Sequence, residues 1–131
     1  TIRIISGPEA HYFEIVGLRS FLSTEYTVTA QSDRMGYRLS GEPIQHKEGM
    51  TNIISAGISL GTVQVPGDGQ PIILMADRQT SGGYARIANV ITVDLTLLAQ
   101  MRPGDIVRFS ETTLDSARQL YLNRMTELNG R

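Results

Sequence analysis

The sequence predicts a mainly β domain, folded as a closed or nearly closed barrel with short helices and an amphipathic helix at the C-terminal end. Three observations carry this. Thirteen Gly and five Pro cut the 131 residues into apolar runs short enough for strands. Those runs, eight or so, are joined by turns and short helices rather than by the long crossovers of βαβ units. Segments as apolar as Ile72 to Met75 and Ala88 to Val93 would make adhesive sheet edges, and closure removes such edges. A two-sheet sandwich is the second choice.

Ile2 to Ile5, ending at Gly7-Pro8, reads as the first strand. Glu9 to Thr24 holds a helical stretch with Phe13, Val16, Leu18, Phe21 and Leu22 on its apolar side, divided at Gly17. The β-branched content of Tyr26 to Ala30 predicts a strand. Ser32 to Gly36 is a turn feeding Tyr37 to Ser40, which alternates as a half-buried strand does. Gly41 to Lys47 is a loop. Asn52 to Ala56, Gly61 to Val65 and Pro71 to Ala76 follow as strands, the last two joined by Pro66-Gly67-Asp68-Gly69, the strongest hairpin signal in the chain. Ala85 to Val93 is a further strand, and Asp94 is placed to cap a short helix through Met101. Pro103-Gly104-Asp105 ends that helix and leads into Ile106 to Phe109. The final helix starts at Thr112 or Thr113, with Thr112 and Asp115 at capping spacing. Its Leu114, Ala117, Tyr121, Met125 and Leu128 recur every three or four residues, predicting one stripe against the body.

The length fits one domain, taken as residues 1–131. Twelve Lys and Arg against 13 Asp and Glu create no global field towards nucleic acid or an anionic membrane. The five Tyr and three Phe are scattered, not interleaved with basic residues, which argues against a base-stacking surface. The absence of Cys removes a cysteine nucleophile, a zinc ribbon and Fe–S centres. Only two His occur, His11 and His46, with no carboxylate at ligand spacing beside them, so no metal site is expected. His46, in the polar run Gln45 to Glu48, is a minor candidate for proton transfer. No apolar run approaches bilayer length and no export signal opens the chain, so the cytoplasm is the expected compartment. Opening at Thr1 without Met, directly into an apolar strand, reads as a segment cut from a longer polypeptide.

Three polar segments are candidate sites. Asp77-Arg78-Gln79-Thr80-Ser81-Gly82-Gly83-Tyr84 follows an apolar strand and is read as a loop, in which two glycines admit a ligand close to backbone amides. It lacks the Lys and Ser or Thr of a P-loop. In Gln31 to Arg38, Arg34 offers a rigid fork for a carboxylate, with Asp33 orienting it or meeting Arg38. Gln64 and Gln70 flank the hairpin turn, so their amides could converge on one polar group. The bland alternatives are a solvated loop, one ordinary ion pair and a well-formed turn.

Four stretches sharpen this reading: Ser32-Asp33-Arg34-Met35-Gly36-Tyr37-Arg38-Leu39; Gly61-Thr62-Val63-Gln64-Val65-Pro66-Gly67-Asp68-Gly69-Gln70-Pro71-Ile72; Leu74 to Tyr84; and Leu98-Ala99-Gln100-Met101-Arg102-Pro103-Gly104-Asp105. In this order they resemble the biotin-dependent carboxyltransferase subdomain family. That family includes the C subunit of bacterial 5-oxoprolinase, also described as a KipI antagonist, and the matching half of the urea carboxylase carboxyltransferase domain, once labelled allophanate hydrolase subunit 2. The resemblance implies a cyclophilin-like β-barrel forming the C-terminal half of a longer subunit, without prolyl isomerase activity. It implies work beside the subunit's N-terminal half, a KipI-like carboxyltransferase subunit and a LamB/YcsF-like subunit, in the ATP-dependent opening of 5-oxo-L-proline to L-glutamate. ATP, or biotin in urea carboxylase relatives, would be handled elsewhere in the assembly. The substrates share a planar amide or ureido group. On this reading Arg78 or the Gly82-Gly83 amides stabilise charge on its oxygen, Gln64, Gln79 or Tyr84 orient its N–H, Gln70 assists across the turn, and Arg34 takes a substrate carboxylate. The other reading the resemblance allows is a regulatory protein that antagonises an inhibitor of a histidine kinase and uses the same loops for docking.

Overall fold

A computed structural model describes residues 1–79 and 81–129. Its strands are β1 (Ile2–Ser6), β2 (Tyr26–Val28), β3 (Gly36–Ser40), β4 (Asn52–Gly57), β5 (Thr62–Val65), β6 (Ile72–Leu74), β7 (Ser81–Val90), β8 (Ile106–Val107) and β9 (Phe109–Glu111). The helices are α1 (Ile15–Ser23), α2 (Leu95–Ala99) and α3 (Leu114–Asn129). The strands run in the order β8-β2-β3-β6-β5-β7-β1-β9, with β4 attached to β7 outside that path. The two ends of this order are neighbours in sequence, separated only by Arg108. One bent segment therefore pairs with β2 through its first half and with β1 through its second, and the Arg108 carbonyl accepts the Ile2 amide at 2.7 Å. This corner brings the sheet round to the predicted barrel.

Inward positions alternate along β1 and β2, as the two-residue period of extended chain requires. Ile2 and Ile4, Tyr26 and Val28, Val63 and Val65, Ile73, Val107 and Phe109 fill the interior. Phe21 of α1 stacks on Phe109 with ring centroids 4.6 Å apart and ties the helix to the barrel. The β5–β6 hairpin forms as predicted, its turn closed by the Gly69 amide on the Pro66 carbonyl at 3.0 Å.

β7 contains the decisive irregularity. Val63 pairs with Ala88 and Gln64 with Arg86, so Ile87 is an extra residue. The bulge lets Ala85, Ile87 and Ala88 all bury while Arg86 faces outward beside Gln64. The segment after β1 pins it. Gly7 donates its amide to the Ile87 carbonyl at 2.9 Å, and a Cβ on Gly7 would fall 2.4 Å from the Arg86 carbonyl oxygen. Glu9 accepts the Arg86 amide at 3.1 Å and meets its guanidinium twice, at 2.7 and 2.8 Å. A second fork joins Arg3 to the buried Asp94, whose Oδ2 also accepts the Arg3 amide at 2.7 Å.

Several local expectations are corrected. Gly17 does not divide the first helix. It lies inside α1, packed where a Cβ would fall 2.6 Å from the Gln45 carbonyl oxygen, while Val16 and Leu22 stay exposed. Asp94 does not cap α2, because Arg3 occupies its carboxylate. The cap of α3 is Thr113, whose Oγ1 accepts the Ser116 amide at 3.0 Å, not Thr112. The apolar stripe of α3 is only partly laid down. Of the predicted stripe Leu114, Tyr121, Met125 and Leu128 remain exposed and Ala117 is half-buried, and an open groove separates the helix from Ile5, Leu60 and Ile91.

The two forks make stability acid-sensitive. Hydrogen bonds from Arg86 hold the Glu9 carboxyl below its ordinary value against the opposing effect of burial. Burial pushes the Asp94 carboxyl up, but the hydrogen bonds and charge of Arg3 outweigh it and the net shift is downward. Depressed folded-state values stabilise fully above the unfolded carboxyl range near pH ~4 and lose that contribution as pH falls through the folded values. Chemical denaturation should therefore show stability falling below about pH 4. Glu9→Gln should cost about 2 kcal/mol at neutral pH and flatten this acid limb. An unchanged limb in the variant would show that the bulge is held without the carboxylate.

Candidate functional site

A cleft of about 630 Å³ lies on the outer face of the barrel. Its floor is the outward row of β3, β6 and β5, namely Gly36, Arg38, Ile72, Leu74 and Gln64. One wall is the start of β7, Ser81 to Tyr84, with Asn52 and Ile53 of β4. The turn around Asp33 and Met35 forms the other side.

Sequence expectation and structure meet at Gln64. It is only 5% exposed, and among the described residues its Nε2 has no hydrogen-bond partner. A Cβ built on Gly82 would lie 2.4 Å from that nitrogen, so the missing side chain at Gly82 is what admits the amide. Gln79, Gly83 and Tyr84 line the same cleft. Thr80 lies outside the described residues. Reading Ser81 to Tyr84 as loop is corrected: these residues open β7, with Gly82 paired to Ala56 and Tyr84 to Asn52. Between those pairs β4 advances four positions and β7 two, so the cleft wall is irregular strand.

Arg34, Gln70 and Arg78 are not among the cleft-lining residues. Arg34 turns to Asp77, Nε to Oδ2 3.1 Å, and both groups are exposed. Asp33 neither orients Arg34 nor meets Arg38. Its Oδ1 accepts the amides of Met35 and Gly36 at 2.9 and 3.2 Å, closing the turn before β3. Gln70 does not converge with Gln64. Its amide spans the backbone of Gly41, accepting the N–H at 2.9 Å and donating to the carbonyl at 3.1 Å. Arg78 folds over its own turn, with Nη1 3.4 Å from the carbonyls of Met75 and Ala76. His46 serves structure: Nε2 lies 2.8 Å from the Val65 carbonyl oxygen and the ring packs on Phe13. His11 is exposed.

Sequence reasoning missed Arg38 and Ile72 as cleft residues. The signal was present in the alternation of Tyr37-Arg38-Leu39, which sends Arg38 outward, but its neighbour follows only from the register Arg38 to Ile72. Among the described residues, no group of three or more His, Asp or Glu side chains is placed to hold a metal ion, and no helix is long and apolar enough to cross a membrane.

Residues 1–111 match the family described as carboxyltransferase domain, subdomain A and B. The chain is 44% identical over 119 residues to the C subunit of 5-oxoprolinase from Haemophilus influenzae, covering 91% of this chain and 38% of that protein. It is 41% identical over 116 residues to the corresponding 5-oxoprolinase polypeptide of Escherichia coli, covering 88% and 37%. It thus spans less than two-fifths of the length of these curated relatives. The urea carboxylase of Kluyveromyces lactis superimposes with a TM-score of 0.91 at 25% identity, covering 98% of this chain and 12% of that one.

The packing of Gln64 on Gly82 yields a direct test. In Gly82→Ala the new methyl meets the far end of a side chain, which can swing aside, so stability should fall by less than about 1 kcal/mol. The Gln64 carboxamide should move, visible as a large shift of its side-chain N–H₂ resonances. A fixed Gln64 amide in that variant would contradict the described packing.

Proposed function

Because the chain belongs to the carboxyltransferase domain family of subdomains A and B, we propose that its outer cleft binds a planar amide or ureido group. We propose further that it acts as part of an ATP-dependent 5-oxoprolinase converting 5-oxo-L-proline to L-glutamate. The observation that supports this is the buried Gln64 Nε2 at the cleft floor, without a hydrogen-bond partner among the described residues. A buried donor left unpaired costs about 1–3 kcal/mol, which a ligand acceptor would recover.

A primary carboxamide presents N–H and C=O side by side in one plane. A lactam, held cis by its ring, presents the complementary C=O and N–H along one edge, so the two can close a pair of parallel hydrogen bonds. In ring opening, water adds across the lactam C–N bond. The carbonyl carbon becomes the side-chain carboxylate of glutamate and the nitrogen its amino group. Donation from Gln64 to the carbonyl oxygen would steady the negative charge that develops there. Gln79 and Tyr84 stand at the rim to orient the ring, and Gly82 and Gly83 allow it close to the strand.

Higher identity to the two 5-oxoprolinase polypeptides than to the urea carboxylase favours the lactam over urea. Activity would belong to an assembly that includes the remainder of the same subunit, a KipI-like carboxyltransferase subunit and a LamB/YcsF-like subunit. ATP, or biotin, would be handled outside this barrel, and the assembly would work in the cytoplasm.

The test is ATP-dependent glutamate release by the complete assembly, with Gln64→Leu introduced into the otherwise intact polypeptide. Turnover should fall about a hundredfold, the scale for loss of one preorganised donor. Thermal stability should hold or rise, since an unpaired amide is removed. Undiminished release would refute the assignment of Gln64.

A further inference from the structure

The floor of the cleft also carries a cation that amide recognition leaves unused. The pairs Arg38 to Ile72 and Gln64 to Ile72 set these three residues in one row across β3, β6 and β5. Two strand spacings, about 10 Å, separate the Cα atoms of Arg38 and Gln64, with the aliphatic face of Ile72 between them. Of the other arginines nearby, Arg34 pairs with Asp77 and Arg86 with Glu9, while Arg78, which does not line the cleft, leans on two carbonyls of its own turn and keeps a buried Nε without a partner among the described residues. The one acidic residue lining the cleft, Asp33, has an oxygen engaged by its own turn. Among the described residues, the Arg38 guanidinium enters no ion pair and no side-chain hydrogen bond.

We propose that Arg38 is the specificity-determining residue of the cleft: it receives the carboxylate of a lactam acid whose amide edge lies on Gln64. The inference rests on the amide-binding reading of Gln64. A guanidinium fork matches a carboxylate bidentately, and a charge-assisted pair of this kind is stronger than a neutral hydrogen bond. The ring of the ligand rests on Ile72 with its amide edge on Gln64, and the carboxylate, borne by the carbon next to the lactam nitrogen, projects from the ring to the Arg38 guanidinium, whose long side chain reaches back along the row. A neutral lactam satisfies Gln64 and offers Arg38 nothing, so the site distinguishes the acid from its neutral counterpart. Arg38, at the outer end of the floor row, is open to solvent, which makes the preference salt-dependent.

Dissociation constants of 5-oxo-L-proline and of 2-pyrrolidinone, measured by NMR titration on the intact polypeptide, separate the possibilities. Wild type should bind the acid more tightly. Arg38→Met should weaken the acid about tenfold, the loss expected for one solvent-exposed charge-assisted contact, and leave 2-pyrrolidinone unchanged. Gln64→Leu should weaken both. If Gln64→Leu weakens both ligands while Arg38→Met alters neither, or alters both equally, Arg38 is not the carboxylate receptor and the amide reading stands. Equal wild-type affinity for the two ligands also overturns the role of Arg38. If wild type binds neither, or Gln64→Leu changes neither, the amide reading fails and the assignment of Arg38 falls with it.

Discussion

One extra residue in β7 decides which side chains the barrel keeps and which it offers outward. Without Ile87 as a bulge, the register set by Val63 and Ala88 would place Ile87 opposite Gln64 and Arg86 opposite Val65, sending a guanidinium into the core. With it, Gln64 and Arg86 share the outer face and the core remains apolar. The arrangement holds because the segment after β1 meets the bulge at every exposed point. Gly7 approaches closer than any Cβ would permit, and Glu9 accepts both the Arg86 amide and its guanidinium. A buried ion pair is weak as a source of net stability and strong as a selector of geometry once one partner is fixed. Here the geometry selected is the strand register that sets Gln64 on the cleft floor beneath Gly82.

The consequence is a site on the outside of the barrel, its floor made of strands that each have two neighbours. Gly36 and Arg38 come from β3, and Ile72, Leu74 and Gln64 from the β5–β6 hairpin, segments apart in sequence and adjacent in the sheet. Backbone hydrogen bonds fix the spacing of their Cα atoms, so the groups proposed to meet a ligand's polar ends stand on a preorganised floor.

The barrel was legible in the sequence because its signals are local: Gly and Pro at turns, apolar runs of strand length, and a hairpin turn whose chemistry admits few alternatives. Ring closure at Arg108 was not, since Ile106 to Glu111 reads as continuous extended chain and only pairing with two different strands reveals the bend. The site was half legible. Gln64, Gln79, Gly82, Gly83 and Tyr84 line one cleft, as the sequence reading required. Arg34, Gln70 and Arg78 do not, because each found another partner: an exposed carboxylate for Arg34, the backbone of Gly41 for Gln70 and the carbonyls of its own turn for Arg78. Residue type shows which groups can bind a ligand, whereas register shows which are left over, and Arg38 is identified only by the second.

The wall of the cleft differs from its floor in a way that bears on recognition. β4 pairs only with β7 among the described residues, through an irregular register, and carries no buried residue, with Ile54 94% exposed. β5 is buried along its whole length and is held on both sides. Local opening follows the burial and pairing lost, so β4 separates from the body at far lower cost than β5. Gln64 and Arg38, the groups proposed to bind a ligand's polar ends, therefore stand on the stiff side of the cleft, whereas Tyr84, paired to Asn52, borders the yielding side. Such a division lets the donor positions stay fixed while the wall adjusts to what has entered, and it makes Gly82, where wall and floor touch through Gln64, the contact through which either can influence the other.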